Sequence, residues 1–120
     1  MKEERSNMAK VREYCGRYIL EFDGDKIREY CGPYRFEVYG DKLKEYCGSY
    51  RYQMDGDKVR EYCGPYVLEF DGRRLRRYCG PYIAEVDGNK IRDYCGPYRY
   101  EIEGFLTHKQ LLALLTLLYA

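Results

Sequence analysis

The sequence predicts an all-β fold: a radial ring of five β-hairpins from a 16-residue repeat, closed by the N- and C-terminal strands, with one C-terminal hydrophobic helix. Three observations carry this. Cys recurs every sixteen residues, at Cys15, Cys31, Cys47, Cys63, Cys79 and Cys95, with no insertion or deletion between copies. Every unit alternates apolar and polar residues over a short stretch, as in "YRFEV", which is the period of a half-buried strand. After Gly104 the repeat stops and a leucine-rich segment, "FLTHKQLLALLTLLYA", begins.

Three regions follow along the chain: a flexible N-terminus over 1–8, six repeat copies over 9–104, and a C-terminal helical segment over 105–120. Within a unit, the Tyr-Cys-Gly triplet, the Tyr three residues beyond the Cys and a closing Gly are constant. A Gly every eight residues, joined by Pro in four units, argues against helix and for two strands of about five residues per unit. Two turn types separate the strands. "FDGDK" places Asp-Gly between apolar flanks, a strong hairpin signal because a tight primed turn needs positive φ. "YCGPY" makes a stiffer corner in which Pro offers no backbone donor.

Cutting at the Gly-Pro corners leaves hairpins 18–31, 34–47, 50–63, 66–79 and 82–95. An unpaired strand remains at each end, Lys10 to Tyr14 and Tyr98 to Glu103. Pairing those two would close the ring and remove exposed strand edges. On this pattern Tyr34, Phe36 and Val38 share one face and Arg35 and Glu37 the other. A stacked solenoid is the second choice of fold.

The tail predicts a helix over 107–119. Thr107 followed by Gln110 is a capping-box signature, and Leu106 and Leu111 are spaced as a hydrophobic staple. Leucines at 111, 112, 114, 115, 117 and 118 surround the helix on nearly all sides, so it must be covered. It plugs or caps the ring, or it pairs with self or another protein through the leucine-rich face.

Composition narrows the function classes. A chain of 120 residues is long enough for one domain with a real core. Its 21 basic and 20 acidic residues leave a net charge of +1, which argues against a nucleic-acid partner. Arg73, Arg74, Arg76 and Arg77 read as a solvated basic edge. The longest apolar run is far short of the ~18–20 residues that span a bilayer. With no apolar leader at the N-terminus, the expectation is a cytoplasmic protein with no membrane span, its cysteines reduced.

The six thiols are candidates for a soft-metal site. No two are closer than sixteen residues, however, and the single His108 lies on the tail. They read first as small buried hydrophobes, with metal binding or a disulfide as alternatives. No base is placed against any thiol, and no phosphate loop or Ser-His arrangement is present, so no cofactor and no enzyme activity are expected. Tyr18, Tyr34, Tyr50, Tyr66, Tyr82 and Tyr98 are candidate ligand-binding platforms for carbohydrate. The competing reading packs them in the core with their hydroxyls at the rim. Arg28 and Glu37 exemplify cross-strand ion pairs on the solvent face. The position of Arg35 is not uniform, its equivalents being Ile19, Arg51, Val67, Ile83 and Arg99, and the three apolar ones suggest contact patches.

Laid out as "DGDKIREYCGPYRFEV", the unit resembles the repeat of the small bacterial β-flower proteins, specifically the five-fold β-flower family. Those chains combine an Ile-Arg strand, a Gly corner and an Asp-Gly tip with a short hydrophobic helical tail. The likeness covers residues 9–120. It implies a radial array of hairpins and no known activity or catalytic residue. Asn or Ser is commoner in that family where this chain has Tyr-Cys, so the thiol ring takes no support from it. Choline-binding repeats and the YD-type repeats of toxin shells are more distant likenesses. The reading for function is a non-enzymatic structural or protein-interaction repeat module, with a carbohydrate- or small-ligand-binding module as the alternative.

Overall fold

The computed structural model describes residues 8–120; the segment read as a flexible N-terminus lies outside the described residues except for Met8, which begins the first strand. Twelve strands follow: β1 (Met8–Glu13), β2 (Tyr18–Asp23), β3 (Lys26–Glu29), β4 (Tyr34–Tyr39), β5 (Lys42–Glu45), β6 (Tyr50–Asp55), β7 (Lys58–Glu61), β8 (Tyr66–Phe70), β9 (Arg74–Arg77), β10 (Tyr82–Asp87), β11 (Lys90–Asp93) and β12 (Tyr98–Gly104). One helix, α1 (His108–Tyr119), ends the chain.

Each expected hairpin forms, and β1 pairs antiparallel with β12 from Ala9↔Gly104 to Glu13↔Tyr100. The strands flanking each corner pair as well, β3 with β4 and β5 with β6 among them. The radial flower is therefore corrected to a closed twelve-strand antiparallel barrel. The corners are too short to splay neighbouring hairpins apart, and an unpaired strand edge would leave backbone donors and acceptors unmet.

The tips follow the primed-turn logic, with Gly56 at φ +65. At the corners the positive φ belongs to the cysteines, between +55 and +59, and not to the adjacent glycines. Those glycines answer a different need. A Cβ at Gly96 would sit 2.9 Å from the Asp93 Cβ, because the turn folds back as the Gly96 N–H bonds to the Asp93 carbonyl.

A bulge interrupts each strand that leaves a corner. Ile27 pairs with Phe36, but Arg28 pairs with Tyr34, so Arg35 is the extra residue. The same shift falls at the equivalent of Arg35 in every unit. Period-two alternation is broken there. Tyr34 turns outward to stand with Arg28, while Phe36 and Val38 stay inward, which overturns the expectation that the three share a face.

Inside the barrel, two rings of side chains are buried: Val11, Ile27, Leu43, Val59, Leu75 and Ile91, and Phe22, Val38, Met54, Phe70, Val86 and Ile102. They form one cluster with Leu112, Ala113, Leu114 and Leu115 of α1. At a strand spacing of about 4.8 Å and a tilt of 35–45°, twelve strands give a backbone radius of roughly 12 Å. Strand side chains alone do not fill that lumen. A helix about 10–12 Å across does. α1 enters at the hairpin-tip end, where Gln110 Nε2 donates to the Gly24 carbonyl at 2.8 Å. It emerges at the corner end, with Leu117 and Leu118 beside Ile19. Thr107 and Gln110 complete the capping box, the Thr107 N–H bonding to Gln110 Oε1 at 2.9 Å and the Gln110 N–H to Thr107 Oγ1 at 3.2 Å.

Lys, Arg and Glu occupy the outward row around the barrel, the reverse of a lipid-facing band. No helix among the described residues is long and apolar enough to cross a membrane.

Candidate functional site

The features repeated most faithfully lie on the outer wall near the corners. Each hairpin is clasped at its base by two tyrosines, the one that opens it and the one that precedes its last Cys. The pairs are Tyr18–Tyr30, Tyr34–Tyr46, Tyr50–Tyr62, Tyr66–Tyr78 and Tyr82–Tyr94, with ring centroids 4.9–5.2 Å apart. Tyr14–Tyr98, at 5.2 Å, clasps the strands that close the barrel. Offset aromatic pairs at this separation add about 0.5–1.5 kcal/mol beyond area burial. The reading that packs the opening tyrosines in the core is corrected: the bulge puts them outside, half-buried apart from the exposed Tyr82.

Cations cover the clasps. Lys26 and Arg28 lie over Tyr34, Lys42 and Lys44 over Tyr50, and Arg74 and Arg76 over Tyr82, each within 6 Å of the ring centroid. Tyr18, Tyr66 and Tyr98 are covered in the same way. Tyrosine hydroxyls reach the preceding hairpin tip: Tyr34 donates to Asp23 at 2.7 Å and Tyr66 to Asp55 at 2.8 Å. Donating to a carboxylate raises the pKa of both phenols above the ordinary tyrosine value, with desolvation second. Tyr39 stands where other units carry that carboxylate and is 60% exposed.

The expected ion pair of Arg28 with Glu37 is corrected. Register places Arg28 opposite Glu21, and the guanidinium bonds to Glu21 at 2.9 Å, raising the Arg28 pKa. Glu37 faces Lys26 and Lys44. The bulged residues split into two kinds. Arg35, Arg51 and Arg99 bond to Glu29, Glu45 and Asp93 of their own corners, while Ile19, Val67 and Ile83 pack against the edge of the core.

All six cysteines are exposed free thiols, which corrects the reading of them as buried hydrophobes. Each cysteine is the third residue of its corner turn, which the Gly N–H closes by bonding to the carbonyl three residues back, as Gly16 does to Glu13. Adjacent corners are two strands apart, roughly 10 Å or more along the rim at the usual strand spacing. A disulfide needs Cα atoms within about 7 Å, so neighbouring thiols are out of reach of each other. Among the described residues no three His, Cys, Asp or Glu side chains gather as a metal site. His108 lies at the opposite end of the barrel, with its Nε2 3.5 Å from Asp57 and its ring 6.2 Å from Phe70, so the tail histidine meets the repeat at a tip.

Shallow grooves border the clasps. One of about 420 Å³ is lined by Tyr50, Arg51, Tyr52, Glu61 and Tyr62, and one of about 330 Å³ by Glu13, Tyr14, Tyr98 and Tyr100. Sequence reasoning found the opening tyrosines as candidates but missed Tyr14, Tyr30, Tyr46, Tyr62, Tyr78 and Tyr94 as their partners. The Tyr of each Tyr-Cys-Gly triplet was the available signal. No family model, curated protein or solved structure matches the chain.

Proposed function

We propose that this chain is a non-enzymatic protein-interaction module that presents its outer rim as a repeated surface. One observation carries the reading: the same half-exposed Tyr–Tyr clasp under a cation recurs in all six units of a barrel whose lumen is filled by its own helix. Tyr and Arg are the side chains most enriched where proteins bind one another, since they bring large contact area and directed polar groups. Multiplying a weak contact around a rigid ring raises its avidity. Kinship with β-flower repeats is part of the same proposal and adds no activity to it.

Tyr→Ala changes at Tyr30, Tyr62 and Tyr94, made singly and then together, in quantitative affinity capture from cell extract, test the reading. The expected result is a protein partner retained by the wild-type chain and lost in steps as tyrosines are removed. Capture indifferent to all three changes would end it. The tyrosine-lined grooves favour carbohydrate as the second reading, because sugars stack on half-exposed aromatic rings flanked by carboxylates. Glycan-array binding abolished by the same substitutions would put that reading first.

A further inference from the structure

Two corners differ from the others in the same way. An acid ends the strand that enters most corners, and in three of them a bulged arginine holds it. Arg35 bonds to Glu29, Arg51 to Glu45 and Arg99 to Asp93. Arg77 takes the place of the acid at another corner. Glu13 and Glu61 are left. The bulged residues beyond them are Ile19 and Val67, which have no donor to offer a carboxylate. Both acids are exposed, and neither has an ion pair or a side-chain hydrogen bond among the described residues.

The residue opposite the acid changes with it. Register sets Leu20 against Glu29, Phe36 against Glu45 and Ala84 against Asp93. It sets Tyr52 against Glu61 and Tyr100 against Glu13. A third ring therefore joins the clasp where the carboxylate is unpaired. Tyr50, Tyr52 and Tyr62 surround Glu61 in the groove of about 420 Å³, and Tyr14, Tyr98 and Tyr100 surround Glu13 in the groove of about 330 Å³. Tyr52 lies on β6 and Tyr100 on β12, six strand steps apart around the ring, so two like grooves open on opposite sides of the wall.

Charge and ring geometry select what fits them. The opening ring of each clasp already lies under a cation, Lys42 and Lys44 over Tyr50 and Arg92 over Tyr98. Tyr62 and Tyr14 each turn one face to that ring, at 5.1 and 5.2 Å between centroids. Among the described residues no cation covers the other face, and the two side chains are 41% and 40% exposed. Arg51 and Arg99 line the grooves but are neutralised by their own corner acids at 3.0 Å. The uncompensated charge in each groove is thus a carboxylate beside an open aromatic face. A guanidinium answers both, since its plate stacks on a ring while its N–H groups donate to a carboxylate. A neutral sugar would gain nothing from the charge.

We propose that each of the two grooves receives an arginine side chain of a protein partner, its guanidinium over Tyr62 or Tyr14 and bonded to Glu61 or Glu13. The inference rests on the interaction-module reading and deepens it by making the partner's contact residue cationic.

An NMR titration of the full chain with N-acetyl-arginine methylamide tests it, beside the citrulline analogue, which is a neutral isostere, and a neutral methyl hexoside. Saturable shifts are expected at the Glu61 and Glu13 grooves in the millimolar range, with the citrulline probe about tenfold weaker or more. Glu61→Gln should weaken binding roughly tenfold in its own groove and leave the Glu13 groove unchanged, which also shows that the variant is folded. The absence of saturable shifts at both grooves up to about 50 mM arginine probe overturns the proposal. So do equal responses to the arginine and citrulline probes, shifts spread evenly over all six clasps, or a Glu61→Gln groove that binds as before. Tighter binding of the hexoside overturns it in favour of carbohydrate. A partner captured through Tyr30 and Tyr94, which line neither groove, would still support the interaction module, so the two readings fail separately.

Discussion

At the scale of single residues, the cysteines carry the clearest conflict between local preference and observed conformation. Each holds φ near +55, where a Cβ costs about 1–2 kcal/mol and Gly or Asn is the usual occupant. Cys31→Gly should accordingly stabilise the protein, by roughly 0.5–1 kcal/mol once the added freedom of the unfolded chain is subtracted. Urea unfolding of the variant measures this, and an unchanged or lower midpoint would show that the thiol makes a compensating contact. All six thiols should react at once with a thiol reagent under native conditions, since all are exposed. Tyr119 presents the opposite case. Its hydroxyl is buried without a hydrogen-bond partner, and burial, aided by the charge of Tyr100, pushes its pKa up to about 12. A folded-state pKa above the unfolded value of about 10 favours the folded state below pH 10 and loses that contribution as pH rises toward 12. Tyr119→Phe should flatten this alkaline loss and raise stability at neutral pH by about 1 kcal/mol.

At the scale of elements, the bulge and the helix cap decide most. One extra residue per strand reverses which face the opening tyrosine occupies, so a side chain whose spacing reads as core becomes part of the outer wall. Nothing in "YRFEV" announces that insertion, because register is a property of two strands and the bulge appears only when the partner's length is known. The cap, by contrast, was legible. Thr107 and Gln110 meet as their spacing predicts, and the same glutamine, buried, reaches the tip of the first hairpin through Gly24. Gln110→Ala should lose the side-chain half of the capping box and the anchor to Gly24, while the N–H of residue 110 still bonds to Thr107 Oγ1. A cost of about 1–2 kcal/mol is expected in thermal or urea unfolding.

At the scale of the whole molecule, barrel and helix solve each other's problem. A twelve-strand barrel is too wide for its own side chains to fill, and a helix with leucine on nearly every side has no stable exposed state. Leu112, Leu114 and Leu115 are fully buried. Leu114→Ala should cost about 2–5 kcal/mol, since the rigid wall leaves little room for collapse around the cavity. Removing residues 105–120 should yield an expanded, dye-binding or aggregating species by size exclusion and dye fluorescence. A well-folded monomer from that truncation would show that the barrel stands without its plug.

The sequence by itself determined the repeat, the strand and turn positions, the tips and the capped helix, because periodicity, Asp-Gly turns and capping residues act within a few positions of the chain. It also placed the two end strands as partners, since five hairpins use ten of the twelve strands and leave these two with no other local mate. Only the tertiary structure decided that the ladder continues through every corner, that the tyrosines clasp hairpins from outside, and that the thiols stand free on the rim. Those outcomes depend on strand register, on the radius that twelve strands impose, and on a backbone that accepts positive φ at Cys so that Gly can sit where the turn folds closest.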